Sequence, residues 1–458
     1  MEGRSLGSGQ ATNVVRDRRL GNLTTPESVQ KLQAALQAKA KGSPAFRFYA
    51  LYDKVYRSDV LAHAYQHCRA NGGVAGVDGE RFEDIEAYGA EKWLGELAQV
   101  LGQKKYQAGA VRRVYIPKPN GKQRPLGIPT IRDRVVQTAA MLVLEPVFEA
   151  DLLPEQYAYR KDRNALDAVR EVHRLINFGR RDVIDADLSD FFGSIPHSEL
   201  LKCVARRVID RAMLHLIKMW QTAAVEQTDQ WGRKKTTRES QRTKRGIPQG
   251  APISPLLSNL YMRRFVLGWK QLGYERDFGA SIVNYADDLV VCCEQRGDEA
   301  LAAMRQTMGR LKLTVNEEKT RICRITDEYF DFLGYTFGRC YSAKTGRAYL
   351  GAQPSKKSIQ RVKAAISEAT HKRTLLMESE EVVQHLNRVL RGWGHYFSLG
   401  PVSKAYKAIE NHTTSRLRRW IYLKHKRRQF PPGPRFMHER MGLLWLPGLT
   451  KSFPWAKA

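Results

Sequence analysis

Apolar residues recur three and four positions apart through residues 26–110, as in ESVQKLQAALQAKAK and YRSDVLAHAYQHCRA, which predicts amphipathic helices. The stretch RRVYIPKPNGKQRPLGIPT (112–130) breaks into short β-type runs around a P-x-P-N-G turn signal, and RVVQTAAMLVLEPVFEADL returns to helical spacing. In DVIDADLSDFFGSI (182–195), Val183, Asp185 and Asp187 alternate with Ile184, Ala186 and Leu188. That pattern predicts a strand with one apolar face and one face of carboxylates. Residues 226–245 are polar and basic and read as a surface loop or loose hairpin. GIPQGAPISPLLSN (246–259) sets an apolar patch between Gly and Pro, and SIVNYADDLVVCC predicts strand, tight turn, strand. Beyond residue 353 the pattern is helical: Ile359, Val362 and Ile366 share one face, and Val382, Leu386, Val389 and Leu390 another, ending at RGWGHYF (391–397). The fold class expected is α+β followed by an all-helical region, with the boundary near 345–355, and no internal repeat is seen.

Charge narrows the function. The chain has 76 Lys and Arg against 47 acidic residues, a formal net charge of +29, and its cations interleave with aromatics in RLRRWIYLKHKRR (416–428). Such a surface attracts a polyanion by Coulomb steering and counterion release, nucleic acid ahead of anionic membrane. No apolar run approaches the roughly 20 residues of a membrane span. MEGRSLGSGQ lacks the apolar core of a signal peptide, so the expected location is inside the cell, in the cytoplasm. Cys68, Cys203, Cys292, Cys293, Cys323 and Cys340 form no C-x-x-C pair, so no zinc cluster is expected.

Asp287 and Asp288 carry the candidate chemistry. An isolated pair of aspartates between strands is ordinarily a turn. Here both flanking runs are apolar enough to be buried on two faces, and adjacent charges in low dielectric need a compensating cation. With Asp187 on a neighbouring strand, three carboxylates converge. Two Mg²⁺ ions held there would serve phosphoryl transfer, with Mn²⁺ as a substitute, and no protein nucleophile is needed. Lys118 and Arg124 flank a turn and are candidates for a triphosphate, although alone they read equally as surface cations. Gln249 is a nucleotide-contact candidate or a turn glutamine. Phe192 on spacing alone is as readily a core aromatic as the wall of a sugar pocket. Trp393, Tyr396, Trp420 and Tyr422 are candidates for base stacking, with Trp393 and Trp420 favoured as core because they fall in register with apolar neighbours. Leu417, Trp420 and Ile421 share a helical face, which leaves Arg418, Arg419, Lys424 and the cluster that follows to solvent or RNA.

Taken in order, IPKPNGKQRPLGIPTIRDRVVQ, LPEQYAYRKDRNALDAV, DADLSDFFGSIPH, GIPQGAPISPLLSNLYM, NYADDLVV, LTVNEEKTRI and FDFLGYTF resemble the conserved blocks of reverse transcriptases, above all those encoded by bacterial group II introns. FRFYALYDKVYRSDVL and GGVAGVDG resemble that family's N-terminal blocks, and PSKKSIQRVKAAI with LNRVLRGWGHYF its thumb, or maturase, region. The resemblance implies a right-hand polymerase: a basic tail over 1–25, fingers and palm over 26–345 with an antiparallel sheet, a helical thumb over 346–430, and a short DNA-binding-like segment over 431–458. It implies metal ligation by Asp187, Asp287 and Asp288, with the carbonyl of Leu188 as an additional ligand. It assigns nucleotide contacts to Lys118, Arg124 and Gln249, sugar discrimination to Phe192, and the primer end to Phe332, Leu333, Gly334 and Tyr335. The implied partners are structured intron RNA or another RNA template, a DNA primer or target, and deoxynucleoside triphosphates, with splicing and retrohoming as the biology. Three departures stand out. Gly193 replaces an Asp common after the paired Phe, Gly250-Ala251 replaces Gly-Gly, and the sequence ends without the cysteines of an HNH nuclease. No second-strand cleavage is therefore expected.

Three other readings share these residues: a splicing factor whose polymerase has decayed, a domesticated reverse transcriptase in defence or repair, and an RNA-templated RNA polymerase. The intact aspartates argue against the first and Phe192 against the last.

Overall fold

The computed structural model describes residues 23–117, 121, 123–229, 231–342, 345–425 and 433–452. Lys118, nearly all of the expected tail, and the cluster after His425 lie outside the described residues.

The chain opens with α1 (Glu27–Gly42), α2 (Ser58–Asn71) and α3 (Ala90–Gly102). The stripes read from spacing are the ones buried: Val29, Leu36 and Ala40 on α1, and Val60, Leu61, Ala64 and Cys68 on α2. The hairpin of β1 (Val111–Pro117) and β2 (Gln123–Ile128) follows, then α4 (Ile131–Glu149), against which α1 and α2 pack. Thr130 starts α4 by accepting the Asp133 N–H at 3.0 Å. A reciprocal cap between Asn164 and Asp167 starts α5 (Ala165–Asn177).

Next come β3 (Asp182–Asp187), α6 (His197–Ala205), α7 (Arg211–Gln221), β4 (Val225–Thr228), β5 (Lys234–Thr237) and α8 (Ser254–Gln271). They are followed by β6 (Ser281–Tyr285), β7 (Asp288–Cys293), α9 (Gly297–Arg310) and β8 (Arg321–Arg324). Strands β6, β7, β3 and β8 form one sheet in that order, every pair antiparallel. A second sheet runs β2-β1-β4-β5, with β4 parallel to β1, so the polar segment read as a loop or loose hairpin is a hairpin that widens this sheet.

The β6-β7-β3-β8 sheet is buried on both faces. Ile184, Ala186, Leu289 and Val291 join a core with Tyr261, Phe265 and Trp269 of α8. Val183, Val283, Val290 and Cys292 join a second core with Val169, Val172 and Ile176 of α5. The face of β3 that carries Asp185 and Asp187 is thus apolar and buried at Val183 and acidic toward its C-terminal end.

The chain continues through β9 (Phe330–Phe332), β10 (Tyr335–Tyr341) and β11 (Ala348–Pro354) into α10 (Lys356–Ala369), α11 (Ser379–Tyr396) and α12 (Ser403–His425). These helices enclose a third core of Val362, Ile366, Leu386, Leu390, Tyr406, Leu417 and Trp420. Trp393 is partly buried and packs against both the second and the third core. Among the described residues, no helix is long and apolar enough to cross a membrane.

Candidate active site

The acidic end of the central sheet is built by register. Asp187, the last residue of β3, pairs with Asp288, the first residue of β7, and Tyr285 pairs with Asp288 from the other side. Only Ala286 and Asp287 remain for the turn. Ala286 holds φ +59°, a left-handed backbone that costs a non-glycine residue about 1–2 kcal/mol. The strain is held by Asn284, whose side chain donates to the Ala286 carbonyl at 2.9 Å. Its backbone N–H donates to Glu155 O and its carbonyl accepts from Tyr157, each at 2.9 Å. Asp287 is therefore a turn residue, and Asp288 is a strand residue facing a third carboxylate.

The electrostatics follow from crowding. Burial, then the charges of Asp287, Asp185 and Asp187, push the Asp288 carboxyl up to about 7, with Lys319 acting against them. Asp185 is raised to about 6 by burial, with Asp187 and Asp331 adding to it; Arg321, opposite it on β8, and Lys357 in the first turn of α10 oppose the rise. Asp187 has its own counter-charge: Lys319 Nζ lies 2.9 Å from Oδ2, and Asn316 Nδ2 donates to the same oxygen at 3.0 Å. The Asn316 N–H donates to the Asp187 carbonyl at 2.8 Å, and the Asp187 N–H to Thr320 Oγ1 at 3.3 Å. These contacts come from the segment between α9 and β8. Sequence reading missed Asn316 and Lys319, for which the only signal was the polar run NEEKT within a quoted block; it placed Asp185 on the carboxylate face of β3 without assigning it to the site.

Leu188 bridges to Val315 through bonds made by its neighbours, Asp187 O and Ser189 N–H. Its own carbonyl therefore points to the β7 side, where Asp287 lies. As placed, no three Asp, Glu, His or Cys side chains among the described residues converge on a single metal-sized point. The donor chemistry nonetheless fits a hard divalent cation. The donors are all oxygen, they repel one another strongly enough to raise Asp288, and one of them already holds a cationic Lys.

Backbone bonds join the nucleotide candidates to one another in two pairs of segments. The Ile247 N–H donates to Phe192 O at 2.9 Å, and the Gly127 N–H of β2 to Gln249 O at 2.7 Å. Gly127 and Gly250 permit this approach: a Cβ on Gly250 (φ +112°) would lie 2.8 Å from Gly127 O, and one on Gly127 2.7 Å from Val111 Cγ1. Arg124 lies on the same β2 strand, opposite Ile116. Phe192 is partly exposed, edge-on to Phe191 at 5.6 Å. At Gly193 a Cβ would fall 2.1 Å from Asp190 Oδ2, because Asp190 (φ +42°) folds its carboxylate over that position.

Phe332 and Tyr335 are buried and pair across a two-residue turn of Leu333 (φ +48°) and Gly334 (φ +82°). That turn docks on the helical region. The Ser355 N–H and Ser358 Oγ each donate to Gly334 O at 2.9 Å, and the Tyr396 hydroxyl donates to Leu333 O at 2.8 Å. Trp420 is core, with its indole N–H on Thr374 Oγ1 at 2.9 Å. Tyr422 and Arg419 are exposed, and Arg418 is partly buried. Lys424 is turned inward, donating to Met377 O at 2.6 Å, and so closes the 372–378 segment.

Comparison with known proteins converges on the same region. Residues 116–337 match the family described as reverse transcriptase (RNA-dependent DNA polymerase), and residues 359–435 match the maturase-specific domain of group II introns. Protein YkfC of Escherichia coli is 32% identical over 346 residues, covering 67% of this chain and 87% of that protein. The group II intron-encoded protein LtrA of Lactococcus lactis is 24% identical over 414 residues, covering 87% of this chain and 65% of LtrA. The putative COX1/OXI3 intron 1 protein of Saccharomyces cerevisiae is 25% identical over 329 residues, of which the match spans 38%. The polymerase family of the first match uses divalent metal ions. An RNA-directed DNA polymerase domain followed by a maturase domain, in this order and over these residues, makes the chain a member of the group II intron-encoded reverse transcriptase and maturase family.

Proposed function

We propose that this chain copies RNA into DNA with two Mg²⁺ ions, binds intron RNA to promote splicing, and serves retrohoming by target-primed reverse transcription. In this reading residues 26–345 are the fingers and palm of a right-hand polymerase, 346–430 the thumb, and 431–458 a short DNA-contacting segment. The observation that carries it is the direct pairing of Asp187 with Asp288 beside Asp287, with Asp288 raised to about 7.

Asp187, Asp287 and Asp288, with the Leu188 carbonyl, are the ligands proposed. Bound Mg²⁺ supplies activation of the primer 3′-hydroxyl and neutralisation of the leaving pyrophosphate. The protein's part is positional. Arg124 and Lys118 engage the triphosphate, Gln249 contacts the nucleotide beside two glycines that let it approach, and Phe192 excludes a 2′-hydroxyl. The turn at Leu333 and Gly334 meets the primer end, and Arg418 and Arg419 lie on the RNA side of the thumb. The net charge of +29 supports a polyanionic partner whose affinity falls steeply with salt.

The test is primer extension on an RNA template, deoxy- against ribonucleotides, with Asp287→Ala as control. Extension with deoxynucleotides that vanishes in the variant, while RNA binding persists, is the expected result. Synthesis that survives Asp287→Ala, or a preference for ribonucleotides, overturns the reading.

A further inference from the structure

The hairpin β4–β5 has no role in the site, yet it is a built and unusually basic feature. Residues 225–245 hold seven basic residues, Arg233, Lys234, Lys235, Arg238, Arg242, Lys244 and Arg245, against three acidic ones. All seven are exposed. At the tip, Trp231 leaves 72% of its surface in solvent, the largest side chain in the described structure so exposed. An indole left in water beside a cationic strand is not accounted for by packing.

The tip is held in place. Asp229 Oδ1 accepts the N–H groups of Trp231 at 2.9 Å and Arg233 at 2.8 Å, and the Gly232 N–H closes on Asp229 O at 3.1 Å. Glu226 pairs with Lys234 across the strands at 3.0 Å, and Gly232 takes φ +80° to make the turn. Trp231, Gly232 and Arg233 are thus each tied to Asp229. On the neighbouring strand Tyr115 is 42% exposed, and its hydroxyl donates to Gln227 Oε1 of the hairpin at 3.3 Å. Gln227 pairs with Lys235, so the Tyr115 phenol and the Lys235 ammonium share one sheet face.

We infer that this hairpin is an RNA contact in which Trp231 stacks on an unpaired base while the surrounding cations hold the flanking phosphates. An aromatic face offered beside a row of cations fits unpaired RNA, because a paired base offers no free face to stack on. A protein partner fits less well, since seven exposed cations around one indole would have to be desolvated. The inference rests on the RNA-binding reading proposed above but assigns the contact to a face that reading does not use.

The experiment measures binding of an RNA stem with an unpaired loop and of the same stem as a blunt duplex to the full chain, its Trp231→Ala and Trp231→Phe variants. Primer extension on a short unstructured template is the separate control. Trp231→Ala should weaken loop binding about 5- to 150-fold, the range for loss of one base stack, leave duplex binding unchanged and leave extension intact. Trp231→Phe should restore most of the affinity. Wild-type loop affinity in Trp231→Ala, or an equal loss on loop and duplex, overturns the assignment. Failure of the wild-type chain to extend a primer counts against the polymerase reading alone, because the binding arm still decides this one.

Discussion

Asp187 and Asp288 are directly opposed on adjacent antiparallel strands, and Lys319 Nζ lies 2.9 Å from Asp187 Oδ2. The fold brings like charges together and hands one of them a removable counter-charge. Such an arrangement is unfavourable for the empty protein and favourable for one that binds cations.

Asp288→Asn should therefore stabilise the metal-free protein while abolishing DNA synthesis. A carboxyl whose folded pKa is raised contributes stability at low pH that is lost as pH rises from its unfolded value through about 7. In EDTA at pH 8 the variant should gain about 1–3 kcal/mol over the parent, and little at pH 4. Denaturant titrations at both pH values check this. Equal stabilities at pH 8 would mean that Asp288 is not under strain.

Lys319→Met should tighten divalent binding. An exposed ion pair is worth about 0.5–1 kcal/mol, so removing the competitor should lower the Mn²⁺ concentration at half-saturation by about two- to fivefold, read by paramagnetic resonance. Weaker binding in the variant would make Lys319 a support of the site and not a competitor for it.

Gly334→Ala should loosen the junction between the sheet and the helical region. The residue sits at φ +82°, and an added Cβ would lie 2.9 Å from Ser358 Oγ and 3.1 Å from Phe397 Cζ. A cost of about 1–3 kcal/mol is expected, seen as faster proteolysis between β11 and α10 and as shorter extension products. Leu333→Gly, which relieves the neighbouring positive φ, should leave proteolysis at this junction unchanged.

Gly193→Asp tests the close packing at this position. It is filled by the Asp190 carboxylate, 2.1 Å from where a Cβ would stand, so the single change should reduce DNA synthesis by driving that carboxylate out of its place. Combining it with Asp190→Gly should recover activity, a coupling that a double-mutant cycle measures. Additive losses would show that the two positions do not compete for the same space.

What was legible in the sequence was local. The two-residue turn at Ala286 and Asp287 and the alternation of β3 set the faces on which Asp187 and Asp288 stand; that β3 pairs with β7 was a condition of the sequence reading, and the register supplies it. Asn316 and Lys319 were not legible. Their bonds to Asp187 span 129 and 132 residues, and nothing in the intervening pattern fixes that distance. The same holds for β4 joining β1, more than a hundred residues earlier, and for Val183, whose burial depends on α5 covering one half of a strand face. Lys424 read as a surface cation; a 2.6 Å bond to a carbonyl some 47 residues away turned it inward.

Glu145 extends the same logic away from the site. Burial, with the charge of Glu149 adding and Lys161 opposing, pushes its carboxyl up to about 7 within α4, the helix against which α1 and α2 pack. The folded chain holds this proton more tightly than the unfolded chain, so the contribution of Glu145 to stability is greatest below pH 4.5 and declines until about pH 7. The decline attributable to this group is on the order of 3 kcal/mol. Asp185 and Asp288 contribute in the same sense, so the parent curve alone cannot isolate it. The difference between the parent and Glu145→Gln can: the amide keeps the shape and cannot ionise, so the variant should match the parent near pH 4.5 and exceed it increasingly up to pH 7. Parallel curves across that window would place Glu145 in water and remove the cost assigned to it.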